Sequence, residues 1–387
     1  MPAEPLDAVD LAQRLIRCRS VTPDEGGALD LLQGVLGGLG FDCQRLTFEE
    51  AGTPPVDNLY ARLGRSGANL CFAGHTDVVP VGDEAAWSTD PFAGELRDGC
   101  LFGRGAVDMK GAIAAFIAAL SRTLTARGDT TRLGGSVSLL ITGDEEGPAV
   151  NGTAKVLDWL REKDEKLDHC LVGEPTSAER LGDMVKIGRR GAMNGTITVH
   201  GVQGHAAYPH LADNPLHHLV RMISTLVDEP LDEGTEHFQP SSLQVTSIDV
   251  ANGATNVIPA QGRVVFDCRF NDLHKSADIK RWMDDRLGRD GARYDMAVRV
   301  SGEAFLCPPG PWSELVSAAV EETTGRPPEL STTGGTSDAR FIKDHCPVAE
   351  LGLRNATAHK VDEKVPLEEL GTLGAIYQAV IERYFPA

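Results

Sequence analysis

The chain has 387 residues and a formal net charge of −19 at pH 7. Because this length exceeds the ~250–300 residues at which a single hydrophobic core stops growing, two domains are expected. The negative charge repels phosphate backbones, which argues against nucleic-acid binding. The longest apolar run, residues 112–120, falls far short of the ~18 residues that a membrane helix needs, which argues against a membrane span.

The cysteines and the N-terminus bear on the cellular compartment. The eight cysteines are scattered without a Cys-x-x-Cys pair, so we interpret them as reduced and mostly buried, not as disulfides or thiolate zinc ligands. Residues 1–7 contain no basic region followed by an apolar one, which predicts that there is no signal peptide. Together these features predict a cytoplasmic protein.

The first part of the chain alternates between helical and strand patterns. Helices are predicted over residues 6–16, 28–39 and 112–126, and strands over residues 58–63, 69–73, 135–142 and 169–173. The predicted strands are short and apolar, which suits a sheet that is covered on both faces. The alternation predicts an α/β domain, in which ligands bind beyond the carboxyl ends of the strands.

Between residues 184 and 301 the pattern changes to βαββαβ. It predicts strand 184–201, helix 215–227, strands 242–250 and 262–270, helix 277–287 and strand 293–300. This order is typical of a ferredoxin-like α+β arrangement. The α/β pattern then resumes with a helix at 312–323, a strand near 348–351 and a last helix from residue 367. We therefore predict a discontinuous first domain, residues 1–183 and 302–387, and an inserted second domain, residues 184–301.

Several acidic and histidine residues lie at or just beyond predicted strand ends or helix starts. They are His75, Asp77, Asp108, Glu145, Glu146, Glu174 and His359. Taken singly, each has an ordinary explanation: the run Asp144-Glu145-Glu146 could be a solvated acidic turn, and Asp108 a helix N-cap. If they converge on one crevice, however, the carboxylates repel one another strongly unless cations neutralise them.

This set of side chains suits metal chemistry. Imidazole and carboxylate ligands without thiolates fit zinc in an open catalytic site, with manganese or cobalt as substitutes. Two histidines and three carboxylates are enough for two metal ions that share one bridging carboxylate. Of the adjacent Glu145 and Glu146, one can bind a cation while the other takes a proton from the activated water.

Six sequence motifs together resemble a known family. They are Gly74-His75-Thr76-Asp77, Gly103-Arg-Gly-Ala-Val-Asp108-Met-Lys-Gly111, Thr142-Gly-Asp-Glu-Glu-Gly147, Gly173-Glu-Pro-Thr176, Gly204-His-Ala-Ala-Tyr-Pro209 and the late His359. In this order, and over the whole chain, they are similar to the co-catalytic metallohydrolases related to carboxypeptidase G2 and aminoacylase, the M20 family. The resemblance implies an α/β zinc-hydrolase domain with a mixed sheet flanked by helices, and an inserted ferredoxin-like dimerisation domain.

Carried over to the matching positions, the resemblance implies a complete set of ligands for two Zn²⁺ ions. His75 and Glu174 bind one ion. Glu146 and His359 bind the other, and Asp108 bridges the two. All five ligands are imidazole or carboxylate, as the residue types alone indicate.

The resemblance gives two more residues roles in the reaction. Asp77 is the carboxylate that orients His75 and raises its basicity. Glu145 is the general base, which takes a proton from the attacking water and delivers it to the leaving amine. The resemblance also implies a cis peptide bond between Asp108 and Met109.

His205 lies in the inserted domain and is a third candidate for a catalytic role. The resemblance implies that this histidine comes from the partner subunit of a homodimer, which forms through the inserted domain, and that it donates a hydrogen bond to the oxyanion. The alternative is a histidine that only packs beside Tyr208.

Six further positions match those that hold the substrate in the family. They are Arg189, Tyr208, Asn256, Arg269, Thr336 and Asn355. Arginine suits such a role because its planar guanidinium pairs with a carboxylate through two hydrogen bonds. For each arginine the alternative is an ordinary surface ion pair.

Within the family, four runs favour one activity: Trp87-Ser-Thr-Asp-Pro-Phe92, Leu96-Arg-Asp-Gly99, Gly334-Gly-Thr-Ser-Asp-Ala-Arg-Phe341 and His359-Lys-Val-Asp-Glu363. They imply hydrolysis of N-succinyl-L,L-2,6-diaminopimelate to succinate and L,L-diaminopimelate, a step of lysine and diaminopimelate biosynthesis. One alternative is a deacylase for acetylornithine or another N-acylated amino acid on the same scaffold. Another is a non-catalytic relative that binds metal or peptide, although such a protein has no use for Glu145 beside the ligands.

Overall fold

The computed structural model describes residues 4–128 and 133–386. Helices α1 to α9 span, in chain order, Ala8–Arg17, Ala28–Gly38, Lys110–Arg127, Thr153–Glu162, Pro215–Val227, Ser276–Leu287, Pro311–Thr324, Ala339–Ile342 and Leu367–Tyr384. Strands β1 to β19 span Asp42–Phe48, Val56–Leu63, Asn69–His75, Glu95–Arg97, Cys100–Phe102, Ser136–Thr142, His169–Val172, Met184–Lys186, Gly188–Arg189, Gly191–His200, Gly204–His205, Ser242–Asp249, Val257–Ile258, Gln261–Phe270, Arg293–Gly302, Phe305–Leu306, Glu329–Ser331, Val348–Glu350 and Lys364–Pro366. Residues 1–3, on which part of the signal-peptide prediction rests, lie outside the described residues.

The chain forms two compact units. Unit 1 comprises the described parts of residues 1–187, 307–331 and 337–387, and unit 2 comprises Gly188–Leu306 and Thr332–Thr336. The domain boundaries predicted from the sequence place residues 332–336 in the first domain. They group with unit 2 because Thr332 Oγ1 donates to the carbonyl of His237 at 2.5 Å and Arg189 Nη1 donates to the carbonyl of Gly335 at 3.1 Å.

The main sheet of unit 1 has eight strands in the order β1-β2-β6-β3-β7-β18-β8-β17. Its centre is parallel, because β3 pairs in parallel with both β6 and β7, and β7 pairs in parallel with β18. Strands β1 and β2 add antiparallel pairs at one edge. The predicted α/β fold with a mixed sheet flanked by helices is confirmed.

Burial on both faces explains the composition of the central strands. Every residue of β3 and β6 is buried, and the polar residues among them, such as Ser136 and Ser138, are mostly small. The alanine-rich α3 packs closely against α1 and α9. In this core the rings of Phe72 and Phe116 stack with their centroids 4.2 Å apart, and Tyr377 of α9 meets both rings edge-on.

Unit 2 contains a four-stranded antiparallel sheet in the order β12-β14-β10-β15, with helices α5 and α6. Its core joins residues of strands and helices, among them Ile197, Leu219, Phe266 and Met283. In chain order the elements are β10-α5-β12-β14-α6-β15, so the predicted ferredoxin-like arrangement is confirmed.

The predicted strand 184–201 is wrong as a single element. It consists of β8 in the large sheet of unit 1, β9 paired with β16, and β10 in the sheet of unit 2. The prediction also lacked β1, an edge strand with polar, partly exposed residues, and the amphipathic helix α4. In the described part of the chain, no helix combines the length and the apolar character needed to cross a membrane.

Candidate active site

The candidate site of unit 1 is built from loops that follow neighbouring parallel strands. His75 is the last residue of β3, Glu145 and Glu146 follow β6, and Glu174 follows β7. Since β6, β3 and β7 are adjacent and parallel, their carboxyl ends meet at one edge of the sheet. The alternation of buried strand and polar loop therefore brings these side chains together.

Two further side chains reach this edge from outside the parallel strands. Asp108 lies two residues before the start of the buried helix α3, and its peptide bond to Met109 is cis, as the family resemblance implies. His359 comes from the loop between β18 and β19. All five residues that we predict as metal ligands thus belong to unit 1.

Asp108 lies between the two histidines. Its Oδ1 is 3.1 Å from Nε2 of His75, and its Oδ2 is 3.2 Å from Nε2 of His359. On either side a second carboxylate approaches the same ring nitrogen: Glu174 Oε1 lies 3.7 Å from His75, and Glu146 Oε1 lies 2.7 Å from His359. The carboxylate of Asp108 therefore faces both histidines, one with each oxygen.

Two groups of candidate metal ligands share this aspartate. One consists of His75, Asp108 and Glu174, the other of Asp108, Glu146 and His359, and within each group the ligand atoms lie within 4.8 Å of one another. A third such group contains His75, Glu145 and Glu146, so proximity alone does not separate the two glutamates. Nitrogen and oxygen donors without a thiolate fit a catalytic zinc site. The division of the residues into ligands and base stays a prediction.

Electrostatics within the cluster also favour cations. Hydrogen bonds to Asp108 and Glu146 raise the pKa of His359 from 6.5 to about 10. Burial lowers the pKa of His75, but its hydrogen bond to Asp108 and the charge of Glu174 outweigh burial, and the pKa rises well above its ordinary value. Without metal ions, the neighbouring carboxylates therefore favour the protonated, positively charged form of both imidazoles. Divalent cations bound to the same carboxylates would supply that positive charge instead.

Glu145 has the electrostatic surroundings of a base. Burial, together with the negative charge of Glu174, raises the pKa of its carboxyl group well above the ordinary value of 4.5. A general base works best when its pKa is near the pH of the reaction, which an ordinary exposed glutamate does not achieve.

Asp77 contacts His75 in a different way from the one expected. The Nδ1–H of His75 donates to the backbone carbonyl of Asp77 at 2.9 Å, whereas the Asp77 carboxylate lies 3.6 Å away. That carboxylate instead accepts from the backbone N–H groups of Glu145 at 3.3 Å and Glu146 at 3.0 Å. Asp77 thus fixes the tautomer of His75 through its backbone and holds the turn of the two glutamates through its side chain.

Sequence reasoning missed three residues that support the site. Asp144 is buried, and its Oδ2 accepts from the backbone N–H groups of Val150 at 2.7 Å and Asn151 at 2.8 Å, which fixes the loop after β6. Arg104 and Glu363 form a buried ion pair next to Asp108. The only sequence signals for these residues are their positions inside the motifs, and those positions do not reveal their contacts.

His205 lies in unit 2, where β11 pairs with β13. Its Nδ1 accepts from the backbone N–H of Ala207 at 3.0 Å, so the neutral ring carries its proton on Nε2. The ring is exposed, and its centroid is 5.5 Å from that of Tyr208. The contact with Tyr208 is therefore present, and it leaves Nε2–H as a donor.

The structure places the predicted substrate-binding residues in both units. Arg189, Tyr208, Asn256, Arg269 and Thr336 belong to unit 2, and Asn355 belongs to an exposed turn of unit 1. Arg189 contacts the loop that contains Thr336 through the carbonyl of Gly335. Arg269 forms two hydrogen bonds with Asp267, at 2.8 and 3.2 Å, which is the ion pair named as its alternative. Their role in substrate binding stays a prediction.

Comparison with known proteins gives a family match along most of the chain. The profile of "Peptidase family M20/M25/M40" matches residues 71–383. The succinyl-diaminopimelate desuccinylase of Rhodospirillum centenum is 60% identical over 379 residues, which cover 98% of this chain and 97% of that protein. The succinyl-diaminopimelate desuccinylase of Parvibaculum lavamentivorans is 56% identical over 390 residues, which cover 99% of this chain and 97% of that protein.

Solved structures of low sequence identity share the fold. The M20 family metallo-carboxypeptidase Sso-CP2 from Sulfolobus solfataricus superposes with a TM-score of 0.77 at 16% identity, covering 98% of this chain and 99% of that chain. The YXEP protein of Bacillus subtilis, described as a dinuclear metal binding peptidase from the M20 family, has a TM-score of 0.68 at 16% identity and covers 97% of each chain.

Proposed function

Because this chain belongs to peptidase family M20/M25/M40, we propose that it hydrolyses the amide of N-succinyl-L,L-2,6-diaminopimelate to succinate and L,L-diaminopimelate. The observation that carries amide hydrolysis is Asp108, which lies between His75 and His359 with a carboxylate beside each of them. The substrate follows from the relatives, which are 60% and 56% identical over nearly the full chain and bear the name of this activity. The reaction belongs to lysine and diaminopimelate biosynthesis.

The proposed cofactor is a pair of Zn²⁺ ions, for which Co²⁺ or Mn²⁺ can substitute chemically. His75 and Glu174 would hold one ion and Glu146 and His359 the other, while Asp108 belongs to both groups of candidate ligands. Two observations support the pair: the shared aspartate and the dinuclear site named for the Bacillus subtilis protein of the same fold. When bound, the two ions activate a water molecule and polarise the scissile carbonyl.

The protein's own residues move the proton. Glu145 accepts a proton from the attacking water as the water oxygen bonds to the amide carbon. It then donates this proton to the amine nitrogen as the carbon–nitrogen bond breaks. The new carboxylic acid loses the remaining water proton and the released amine takes one up, so the products are the succinate carboxylate and the ammonium form of the amine. Glu145 is placed for this transfer because Asp77 and Asp144 hold the loop that carries it. No covalent bond between substrate and protein is formed.

A homodimer through unit 2 completes the proposal. In the described residues, β12 is an edge strand of its sheet, and Ile248 on β12 and Val220 and Val227 on α5 are exposed apolar side chains. An isologous pairing of this surface would bury them. In such a dimer His205 of one subunit would donate its Nε2–H to the oxyanion in the site of the other. The cytoplasmic location stays a prediction.

A substrate panel tests the proposed function. We expect kcat/KM for N-succinyl-L,L-2,6-diaminopimelate to exceed that for N-acetylornithine by about 10²-fold or more, because a site built to pair with the succinyl carboxylate leaves its polar groups unpaired with an acetyl group. Release of succinate and of primary amine should be measured in parallel on metal-loaded protein. Preference for acetylornithine would replace the proposed substrate, and hydrolysis of no acylated amino acid would favour the non-catalytic alternative.

A further inference from the structure

Next to the candidate metal ligands, Arg104 and Glu363 form an ion pair that is almost completely removed from solvent. Nη1 of Arg104 lies 2.7 Å from Oε2 of Glu363, and the two residues are 2% and 0% exposed. The ring of Trp87 lies over the guanidinium group, with its centroid 5.2 Å away. Burying such a pair costs desolvation of both charges, and it is often no more stable than a pair of apolar side chains of similar size. Stability alone therefore does not explain its presence.

Glu363 holds the backbone that leads into Asp108. Its Oε1 accepts from the N–H of Val107 at 2.9 Å and from the N–H of Asp108 at 3.2 Å. Its own backbone carbonyl accepts from the N–H of Gly103 at 2.9 Å. The carboxylate thus fixes the peptide groups on which the Asp108 side chain depends for its direction.

Arg104 holds the loop of His359. Its Nη1 donates to the carbonyl of Lys360 at 3.2 Å, and its Nη2 lies 3.5 Å from the carbonyl oxygen of His359. The backbone of His359 has φ = 61°, in the left-handed region that is uncommon for residues other than glycine. The contacts of the Arg104 guanidinium group with the carbonyl groups of His359 and Lys360 help to keep the loop in this conformation.

We propose that Arg104 and Glu363 are positioning residues that fix the distance between Asp108 and His359, and thereby form the metal site of Asp108, Glu146 and His359. Through the ion pair, the segment before α3 and the loop before β19 are joined at the point where Asp108 Oδ2 and His359 Nε2 approach to 3.2 Å. The inference rests on the proposed two-metal site, and it adds residues that contact neither metal nor substrate.

The test is the double variant Arg104→Met/Glu363→Met, which removes both charges and keeps apolar volume, so that the metal-free protein is expected to fold. Calorimetric titration with Zn²⁺ should show one ion bound as in the wild type and the other about 10- to 100-fold more weakly, the usual effect of removing partners of metal ligands. At saturating Zn²⁺, kcat should fall more than KM changes, because the attacking water is misplaced and the substrate contacts are not.

The matched control is Arg62→Met/Glu165→Met, which removes another poorly exposed ion pair of unit 1 that has no contact with a candidate ligand. It should bind both ions as the wild type does. A second variant, Glu363→Asp, keeps both charges but shortens the side chain, which withdraws the carboxylate from the N–H groups of Val107 and Asp108. It should also weaken the binding of one ion.

The outcomes separate this inference from the proposed function. If the wild type binds two Zn²⁺ ions and both Glu363→Asp and the Met/Met variant bind them equally tightly, the positioning role is wrong and the proposed function stands. If the Met/Met variant does not fold, Glu363→Asp decides alone. Failure of the wild type itself to bind two ions would contradict the proposed function and the inference together.

Discussion

Replacing Glu145 by Gln should lower kcat by about 10²- to 10⁴-fold while the protein keeps its fold and its metal ions. The amide of glutamine has nearly the shape of the carboxylate but cannot accept the proton of the attacking water. The backbone N–H of Glu145 donates to the Asp77 carboxylate at 3.3 Å, so the base is held in a fixed loop, and a freely moving solvent molecule does not replace it. Steady-state kinetics on protein of measured zinc content tests the expectation.

The adjacent Glu146 provides the matched control, because Glu146→Gln makes the same chemical change one residue further along the loop. Its Oε1 lies 2.7 Å from His359 Nε2, in the group that also contains Asp108, so the variant should lose affinity for one zinc ion. Since Glu145 also lies near His75, the opposite assignment is a real alternative. If Glu145→Gln loses a metal and Glu146→Gln does not, the roles of the two glutamates are reversed.

The second large effect is expected for His205→Ala, which should reduce kcat by about 10²- to 10³-fold, or ~2.7–4 kcal/mol, with unchanged zinc content. The hydrogen bond from the backbone N–H of Ala207 to Nδ1 of His205 leaves the proton of the neutral ring on Nε2. From there the ring can donate a hydrogen bond to an oxyanion. His210, an exposed histidine of the same loop, is the matched control, and His210→Ala should have nearly the wild-type kcat.

Mixing two inactive variants tests whether His205 acts across the dimer. A dimer of one Glu145→Gln subunit and one His205→Ala subunit contains one intact site only if each site takes its histidine from the neighbour. We expect activity to return after subunit exchange, to at most about one active site per mixed dimer. Exchange that is demonstrated by native mass spectrometry without any return of activity would rule out the action in trans.

The main features of the fold follow from local sequence patterns. The runs that form β3 and β6 are mostly apolar, and their few polar residues are buried because both faces of these strands are covered. The charged residues of the site come at or just after the end of each strand. In a parallel sheet such ends share an edge, so His75, Glu145 and Glu174 could be placed together without any knowledge of long-range contacts. The βαββαβ order of unit 2 could be predicted for the same reason, since each of its elements has its own periodicity.

Features that depend on distant parts of the chain could not be predicted in this way. Arg104 and Glu363 are far apart in sequence, and nothing in either segment indicates the other. Residues 184–200 have continuous strand character, but they are divided into β8, β9 and β10, which belong to three different sheets. The position of the Asp77 carbonyl beside His75 is a backbone contact, and residue types carry no signal for it.

The measurement that tests the two-metal hydrolase most directly is the zinc content of the purified protein together with its activity before and after chelation. We expect close to two equivalents of zinc per chain, complete loss of N-succinyl-L,L-2,6-diaminopimelate hydrolysis when the metal is removed, and recovery when two equivalents are restored. Full activity in protein shown to contain no metal would contradict this expectation.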